Sequence, residues 1–586
     1  MRIFLLGVAY WLILGSGVTY AQWQVQVNIT DEEKKIAEPY FPSTQHETLA
    51  SAQTAVAEMI TSLQQSGYFQ AYATPLPPQD SLLYAVELSV GNPFHWAYLK
   101  PGNLDAALQA QSGYREQLFL QQPFHYADFQ QMVENCLDYS EEHGFPFASV
   151  RLKDIDVEDQ AITATLDYQS GPLIRFGELN IIGADNIKPE FLEAYLGVRT
   201  GTVYSEKKVA QITSRLQLLP FLTLDGPVET RFQNEVADLY LPLTVQPSNQ
   251  IDGVLSVLPD VGRDDRKLLL TGELNILLRN LAKSGKTFFL HWQRLQVASQ
   301  QLSISYDHPN LLRSPFGFGF NFNLLKEDIL FLNRKANLSA SYLTGKNHRI
   351  TLFGDWRASR LTGERATMVG NGSSDFADVS VHGGGLQYDW TQVDQLLFPR
   401  RGYAFTLMGR SGRKTVSFWK REGTQNDQLI YQTQVSPQWA SEFSFTQYYM
   451  FGSNLGISHQ IQGAALLDNS LFLNELYRLG GLKSLRGFAD NWFYASQYAL
   501  SKLELRWLLE PEIAIPSYLF AFYDQAWMRQ QYHNKSNRDY PTGIGAGVSI
   551  STRAGLFSLA YALGKSKNQA MSLSTSKVHF GYISRF

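Results

Sequence analysis

Three charged residues in the C-terminal part of the chain have types and positions suited to recognition chemistry. Arg486 sits in the glycine-rich loop Gly480-Gly481-Leu482-Lys483-Ser484-Leu485-Arg486-Gly487-Phe488. Glu504 and Asp524 sit on the polar face of stretches that alternate apolar and polar residues, Leu503, Leu505 and Trp507 against Lys502, Glu504 and Arg506. A guanidinium is a planar fork that engages carboxylates bidentately, and it does so most strongly where water is partly excluded. Taken singly, Arg486 reads better as a solvated loop arginine and Asp524 better as a turn or rim carboxylate.

Signatures of catalysis are absent from the sequence. It contains no Gly-x-Ser-x-Gly elbow, no phosphate-binding Gly-Lys-Ser/Thr loop and no His-Glu-x-x-His helix. The 11 histidines have no repeated ligand spacing, and His95, His143 and His291 read as strand or loop residues. The expectation is a protein that is not an enzyme and carries neither metal nor cofactor. The single cysteine, Cys136, allows no disulfide within the chain. Phe129, Met132, Val133 and Leu137 surround it at helical spacing, which reads as a buried core thiol ahead of a reactive one.

The acidic pair belongs to a long region patterned for strands. From about Ile251 onward, Phe316, Phe318, Phe320, Phe322 and Leu324 alternate with Gly317, Gly319, Asn321 and Asn323, and Leu302, Ile304 and Tyr306 with Ser303, Ser305 and Asp307. Period two sends the two sets to opposite faces. A β-sandwich gives the same alternation over short strands, but this region is large for one sandwich and its charged faces recur without any helical layer to cover them. A membrane barrel accounts for both, because lipid meets the apolar face and every backbone group is paired. At roughly 20 residues per strand and loop, the length suits about 16 antiparallel strands.

Composition agrees with that reading. Aromatic residues make up 13% of the chain, with 30 Tyr and 36 Phe, and membrane barrels use such residues in their girdles. A net charge of -4 gives no reason to propose nucleic acid as a partner. Arg2, the apolar run Ile3 to Leu14 and the small residues before Ala21 form a secretory signal over residues 1–21; the run is too short for a membrane anchor. The last strand places Val578, Phe580, Tyr582, Ser584 and Phe586 on one face, and its terminal aromatic resembles the sorting signal of outer-membrane barrels.

Between signal and barrel the chain repeats. One amphipathic helix carries Val56, Met59, Ile60 and Leu63 and stops at Gly67-Tyr68-Phe69-Gln70-Ala71; another carries Phe129, Met132, Val133 and Cys136 and stops at Gly144-Phe145-Pro146-Phe147-Ala148. Glycine suits the left-handed position after a helix. Gly67 to Gly144 spans 77 residues and Gly91 to Gly171 spans 80, two markers with nearly one period. A third copy starts at Phe176-Gly177-Glu178, turns at Gly183, carries Val209, Ile212, Leu216 and Leu219 on its second helix and closes with a strand around Asp238 to Val245.

This β-α-α-β-β order resembles the POTRA domain, which implies periplasmic modules that bind extended peptides along a sheet edge. The expected organisation is POTRA-like repeats at 22–92, 93–171 and 172–248, α+β in class, followed by an all-β outer-membrane barrel at 249–586. The loop core Leu485, Arg486, Gly487 and Phe488 resembles the Val-Arg-Gly-Phe/Tyr loop of the BamA/TamA superfamily of outer-membrane assembly and translocation proteins, with Leu for the usual Val. Phe522-Tyr523-Asp524-Gln525-Ala526 is similar to its Phe-x-Asp-x-Gly strand, with Ala526 for Gly. Asp394 through Phe398-Pro399-Arg400-Arg401-Gly402 is similar to its Asp…Pro-x-Arg-Gly strand start.

The resemblance implies that the loop folds into the barrel and that Arg486 meets Glu504 and Asp524. It implies a factor that binds unfolded outer-membrane or exported proteins and inserts or exports them at a seam between the first and last strands, near Val254 and Phe580. Other periplasmic or inner-membrane assembly components and outer-membrane lipid are further candidate partners. A dedicated secretion pore and a passive porin are the alternatives.

Overall fold

A computed structural model describes residues 23–77, 82–259, 268–294, 299–327, 331–344, 347–362, 375–396, 398–422, 428–482, 484–513, 515–532, 535–552 and 555–584. Residues 1–22, which hold the expected secretory signal, and Phe586 lie outside the described residues, as do the side chains of Val254 and Tyr582.

The chain divides into two compact units, one of residues up to Arg175 with Val203–Glu206, the other of Phe176–Thr202 with Lys207–Phe586. The first unit holds two α+β modules. In the first, Trp23–Asn28 pairs parallel with Leu83–Ser89, flanked by Gln45–His46 and Tyr72–Pro75. In the second, His95–Lys100 pairs parallel with Ala161–Gln169, flanked by Leu120–Pro123 and Ser149–Glu158.

The helix Leu49–Gln65 shows how sequence sets such a module. Thr48 caps it, its side chain accepting from Ser51 N at 3.1 Å while Ser51 Oγ accepts from Thr48 N, so two otherwise unsatisfied amides are paired. Ala52, Val56, Met59 and Leu63 recur on one face and are buried against the sheet. The helix stops where Gly67 turns left-handed, at φ 95°. Gly67 N then donates to Gln64 O and Tyr68 N to Leu63 O, both at 3.0 Å, a Schellman cap. Helix Tyr126–Glu142 ends the same way, with Gly144 at φ 94° and Phe145 N donating to Ser140 O at 2.9 Å.

The repeated glycine has a second use. Gly67 O accepts from Phe94 N, and Gly144 O accepts from Ile174 N, each at 2.8 Å. The cap of each long helix therefore ties down the start of the following segment. Cys136 lies in the second core with Trp96, Leu99 and Met132, and burial pushes its thiol pKa up, the opposite of thiolate activation.

The second unit begins with the third α+β module, strands Arg175–Ile182, Leu222–Leu224, Glu229–Gln233 and Val236–Val245. Its second helix is not continuous: Glu206–Ala210 and Ile212–Leu216 are separate turns. Ile212, Leu216 and Leu219 are buried, whereas Val209 is only half-buried.

Apart from one short two-stranded pair, the remaining strands among the described residues form one antiparallel sheet of 17 segments from Gln250–Pro259 to Lys577–Ser584. Lys535–Asp539 and Thr542–Thr552 pair in succession along Tyr518–Tyr532. They are one stave interrupted at Tyr540-Pro541, where proline supplies no N–H for the ladder. Counted so, the sheet has 16 staves. Leu338, Leu352, Trp439, Val578 and Phe580 are each more than half exposed, the outward apolar band a barrel presents to lipid.

The end strands come within 8 Å of one another between Cα atoms. Among the described residues, no ladder joins them.

Candidate functional site

Residues 468–496 connect strand Leu455–Leu467 to strand Gln497–Leu508, and they fold inward. Tyr477–Leu479 pairs with Phe493–Ala495 to form a short stalk. At its tip Ser484 Oγ accepts from Gly480 N and donates to Gly480 O, both at 2.8 Å. Gly480, Gly481 and Gly487 all have positive φ. Gly481, at φ 86°, adopts a left-handed backbone that other residues rarely take, so the turn favours glycine there.

The tip delivers Arg486 to both acids. Its Nε donates to Asp524 Oδ2 at 2.8 Å and its Nη2 to Asp524 Oδ1 at 2.6 Å. Its backbone N adds a contact to Asp524 Oδ2 at 3.1 Å, and Nη1 reaches Glu504 Oε2 at 2.5 Å. The guanidinium lies 3.7 Å from the centre of the Phe522 ring. Glu504 uses its other oxygen to accept from Arg506 Nε at 2.8 Å.

The alternation on Tyr518–Tyr532 places Phe520, Phe522, Asp524, Ala526 and Met528 inward. Asp524 therefore lies on a largely apolar inward face, rather than the polar face expected from the alternation. Arg486 is 4% exposed and Asp524 0%, because aromatic and aliphatic side chains share the inward face with the carboxylate. The ion pair works in a nearly dry setting, where losing one partner leaves an uncompensated charge.

Leu485 and Phe488 flank the arginine and are fully buried with Leu479, Leu500, Ala526 and Met528. Ala526, where the family pattern has glycine, adds its methyl to this cluster. The loop's closest backbone approach falls instead on strands Thr542–Thr552 and Gly555–Lys565. A Cβ at Gly543 would lie 2.1 Å from Arg486 O, and one at Gly564 2.5 Å from Gly487 O. Gly487 N donates to His579 Nε2 at 3.3 Å, linking the tip to the last strand. Asp394 Oδ1 accepts from the backbone N of Gln395, Arg400 and Arg401, ordering the turn before Gly402.

Sequence reasoning did not single out Gly543, Gly564, Arg506 or His579. The run Gly543-Ile544-Gly545-Ala546-Gly547 was the available signal, since glycine at alternate strand positions marks a close approach. It also missed a second buried cluster at the loop's base. Lys414 Nζ contacts Glu475 Oε1 at 2.6 Å, Ser470 O at 2.6 Å and Asp468 Oδ2 at 3.2 Å, with both its own side chain and that of Asp468 fully buried. Asn474 Nδ2 donates to Ser359 Oγ and Ala377 O. No pattern in the sequence announces these contacts, which join residues far apart in the chain.

Val578 and Phe580 lie on the exposed face of the last strand, at 66% and 67%, and Val254 lies in the first, its backbone opposite Glu273. Among the described residues, no group of three or more His, Cys, Asp or Glu is placed to hold a metal ion.

A model of the Omp85 superfamily domain matches residues 280–586, more than half of the chain. Among solved structures, CdiB from Acinetobacter baumannii aligns over 91% of this chain and 97% of its own at 14% identity, TM-score 0.53. CdiB from Escherichia coli aligns over 95% and 98% at 14% identity, also TM-score 0.53. BamA from Haemophilus ducreyi lacking POTRA domains 1–3 aligns over 83% and 100% at 15% identity, TM-score 0.41. No curated protein matches the chain. The chain belongs to the Omp85 superfamily, a family of outer-membrane β-barrel proteins.

Proposed function

We propose that this protein is a non-enzymatic assembly and translocation factor. Its POTRA-like modules gather unfolded polypeptides in the periplasm, and its barrel passes them into or across the outer membrane at the seam. The observation that carries the reading is the pair of end strands lying side by side without a ladder among the described residues. An unpaired edge is normally a hazard, and here it would template an incoming strand. The docked loop supports the same reading, since Gly487 ties its tip to His579 on the last strand. Packing of Leu485, Arg486 and Phe488 against inward-facing residues of the barrel strands speaks against a passive porin.

Cysteine pairs scanned between residues 250–259 and 577–584, in a chain with Cys136→Ala, test the seam. An oxidised pair should stop insertion of an unfolded client barrel into liposomes, and reductant should restore it. Full insertion by a chain with the seam locked would overturn the reading. A locked chain that still exports a soluble partner would favour the dedicated secretion pore.

A further inference from the structure

The outward face of the barrel carries a charged and aromatic row that the seam and the lumenal loop do not use. Register aligns Trp356 with His382 and His382 with Arg413 across neighbouring strands. Arg334 stacks on Trp356, its guanidinium 5.5 Å from the ring centre. The Trp356 and His382 rings are 6.5 Å apart, and His382 Nε2 pairs with Ser380 Oγ at 3.1 Å. Arg360 and Arg413 are exposed on the same face. The described carboxylate among them is Asp378, one oxygen of which accepts from Leu361 N, so positive charge dominates.

Two residues farther along the strands the character changes. Gly354 lies opposite Gly384 and Ala340 opposite Leu352, leaving a dent of about 740 Å³ walled by Phe318, Leu338, Leu352 and Leu386. These leucines are more than half exposed. A Cβ at Gly354 would meet nothing closer than 3.9 Å, so the dent has room.

The row lies at the rim far from the third α+β module. That module donates Lys188 N to Lys283 O and receives Asn310 Nδ2 at Ala194 O, contacts to turns at the opposite strand ends. Strand Phe316–Glu327 runs from the Asn310 turn toward the basic row, where Leu324 stands opposite Arg334.

We propose that this face binds a phosphate-bearing, acylated lipid of the outer leaflet. Arg334, Arg360 and Arg413 hold its phosphate groups, and an acyl chain lies in the dent over Gly354 and Gly384. Guanidinium groups match phosphate oxygens in planar, bidentate fashion. Cations over an apolar hollow complement a headgroup over its chain, whereas a soluble phosphate compound would leave the hollow empty.

The test uses the full chain purified in mild detergent, with native mass spectrometry reading the bound lipid. The probes are bisphosphorylated lipid A, the same lipid dephosphorylated, and inorganic phosphate as competitor. Wild type should retain the phosphorylated lipid at concentrations about tenfold lower than the dephosphorylated one. Arg334→Gln with Arg413→Gln should abolish that preference. Gly354→Val should weaken retention of both lipids while leaving the preference in place. Equal retention of the two lipids by wild type, or an undiminished preference in the double variant, would overturn the proposal. So would displacement by inorganic phosphate at lipid-like concentrations, or unchanged retention in Gly354→Val. Faster gel migration before heating certifies that each variant is folded, and the two-lipid comparison on wild type decides the matter even where a variant fails this check.

Discussion

Arg486 and Asp524 are joined by three hydrogen bonds, two from the guanidinium and one from the arginine's own backbone N. The carboxylate thus fixes both the side chain and the chain path of the loop tip, 38 residues away in sequence. Asp524 is completely buried, so these bonds are also what makes its charge tolerable there.

Replacing Arg486 by Ala should therefore undock the tip. Removing one partner of a buried pair costs about 3–5 kcal/mol, and here two carboxylates are left behind. The barrel ladder is independent of the loop, so heat-modifiable gel mobility should persist. Cysteine crosslinks between the tip and strand Tyr518–Tyr532 should fade, and client insertion with them. Arg486→Lys should rescue poorly, because an ammonium cannot reproduce the planar fork. Unchanged crosslinks and full activity in Arg486→Ala would make the pair dispensable.

Gly543→Val should imitate that loss without removing any charge. Its Cβ would fall 2.1 Å from Arg486 O, and backbone cannot yield as a flexible side chain does. Crosslinking of the tip should drop as in Arg486→Ala. A fully docked tip in this variant would show that the strands shift to accommodate it.

Lys414→Met should loosen the base of the same loop. Asp468 and Glu475 would lose the cation they share in a buried site, a destabilisation of about 3–5 kcal/mol. Proteolysis of residues 468–476 in the otherwise folded barrel is the readout. Replacing lysine and both acids together by apolar residues of similar volume should recover most of the loss, since no orphaned charge remains.

Glu33 makes the first α+β module sensitive to acid. Its carboxylate accepts from Val90 N at 2.9 Å and Gly91 N at 3.3 Å, and the Val90 bond is the main reason its pKa is lowered. A lowered carboxylate pKa contributes stability that is present above the ordinary Glu value, about 4.3, and is lost as pH falls through the lowered one. Thermal unfolding of the full chain, followed through amide exchange at Val90, should show this loss below about pH 4.3. In Glu33→Gln the acid-dependent part should vanish. An identical pH profile in both proteins would remove Glu33 from the account.

Much of this architecture was present in short-range patterns. Gly67 and Gly144 announce their helix caps because a left-handed turn is a local demand that few other residues meet. Alternation gives each barrel strand its two faces for the same reason, since successive side chains must point opposite ways. The arginine loop and its two acids were nameable through their resemblance to a family.

Other features needed the folded chain. The sequence determined that Arg486, Glu504 and Asp524 exist on a loop and two alternating strands. Only the tertiary structure decided that they meet in a nearly dry setting over Phe522 and that Gly543 and Gly564 clear the way. It also decided that Lys414 holds the loop's base and that, among the described residues, the end strands lie together without a ladder. Local patterns specify what each residue can do within its own turn or strand. Burial, and hence the strength of an ion pair, depends on which distant segments converge, and the curling of the sheet into a barrel sets that for all its strands at once.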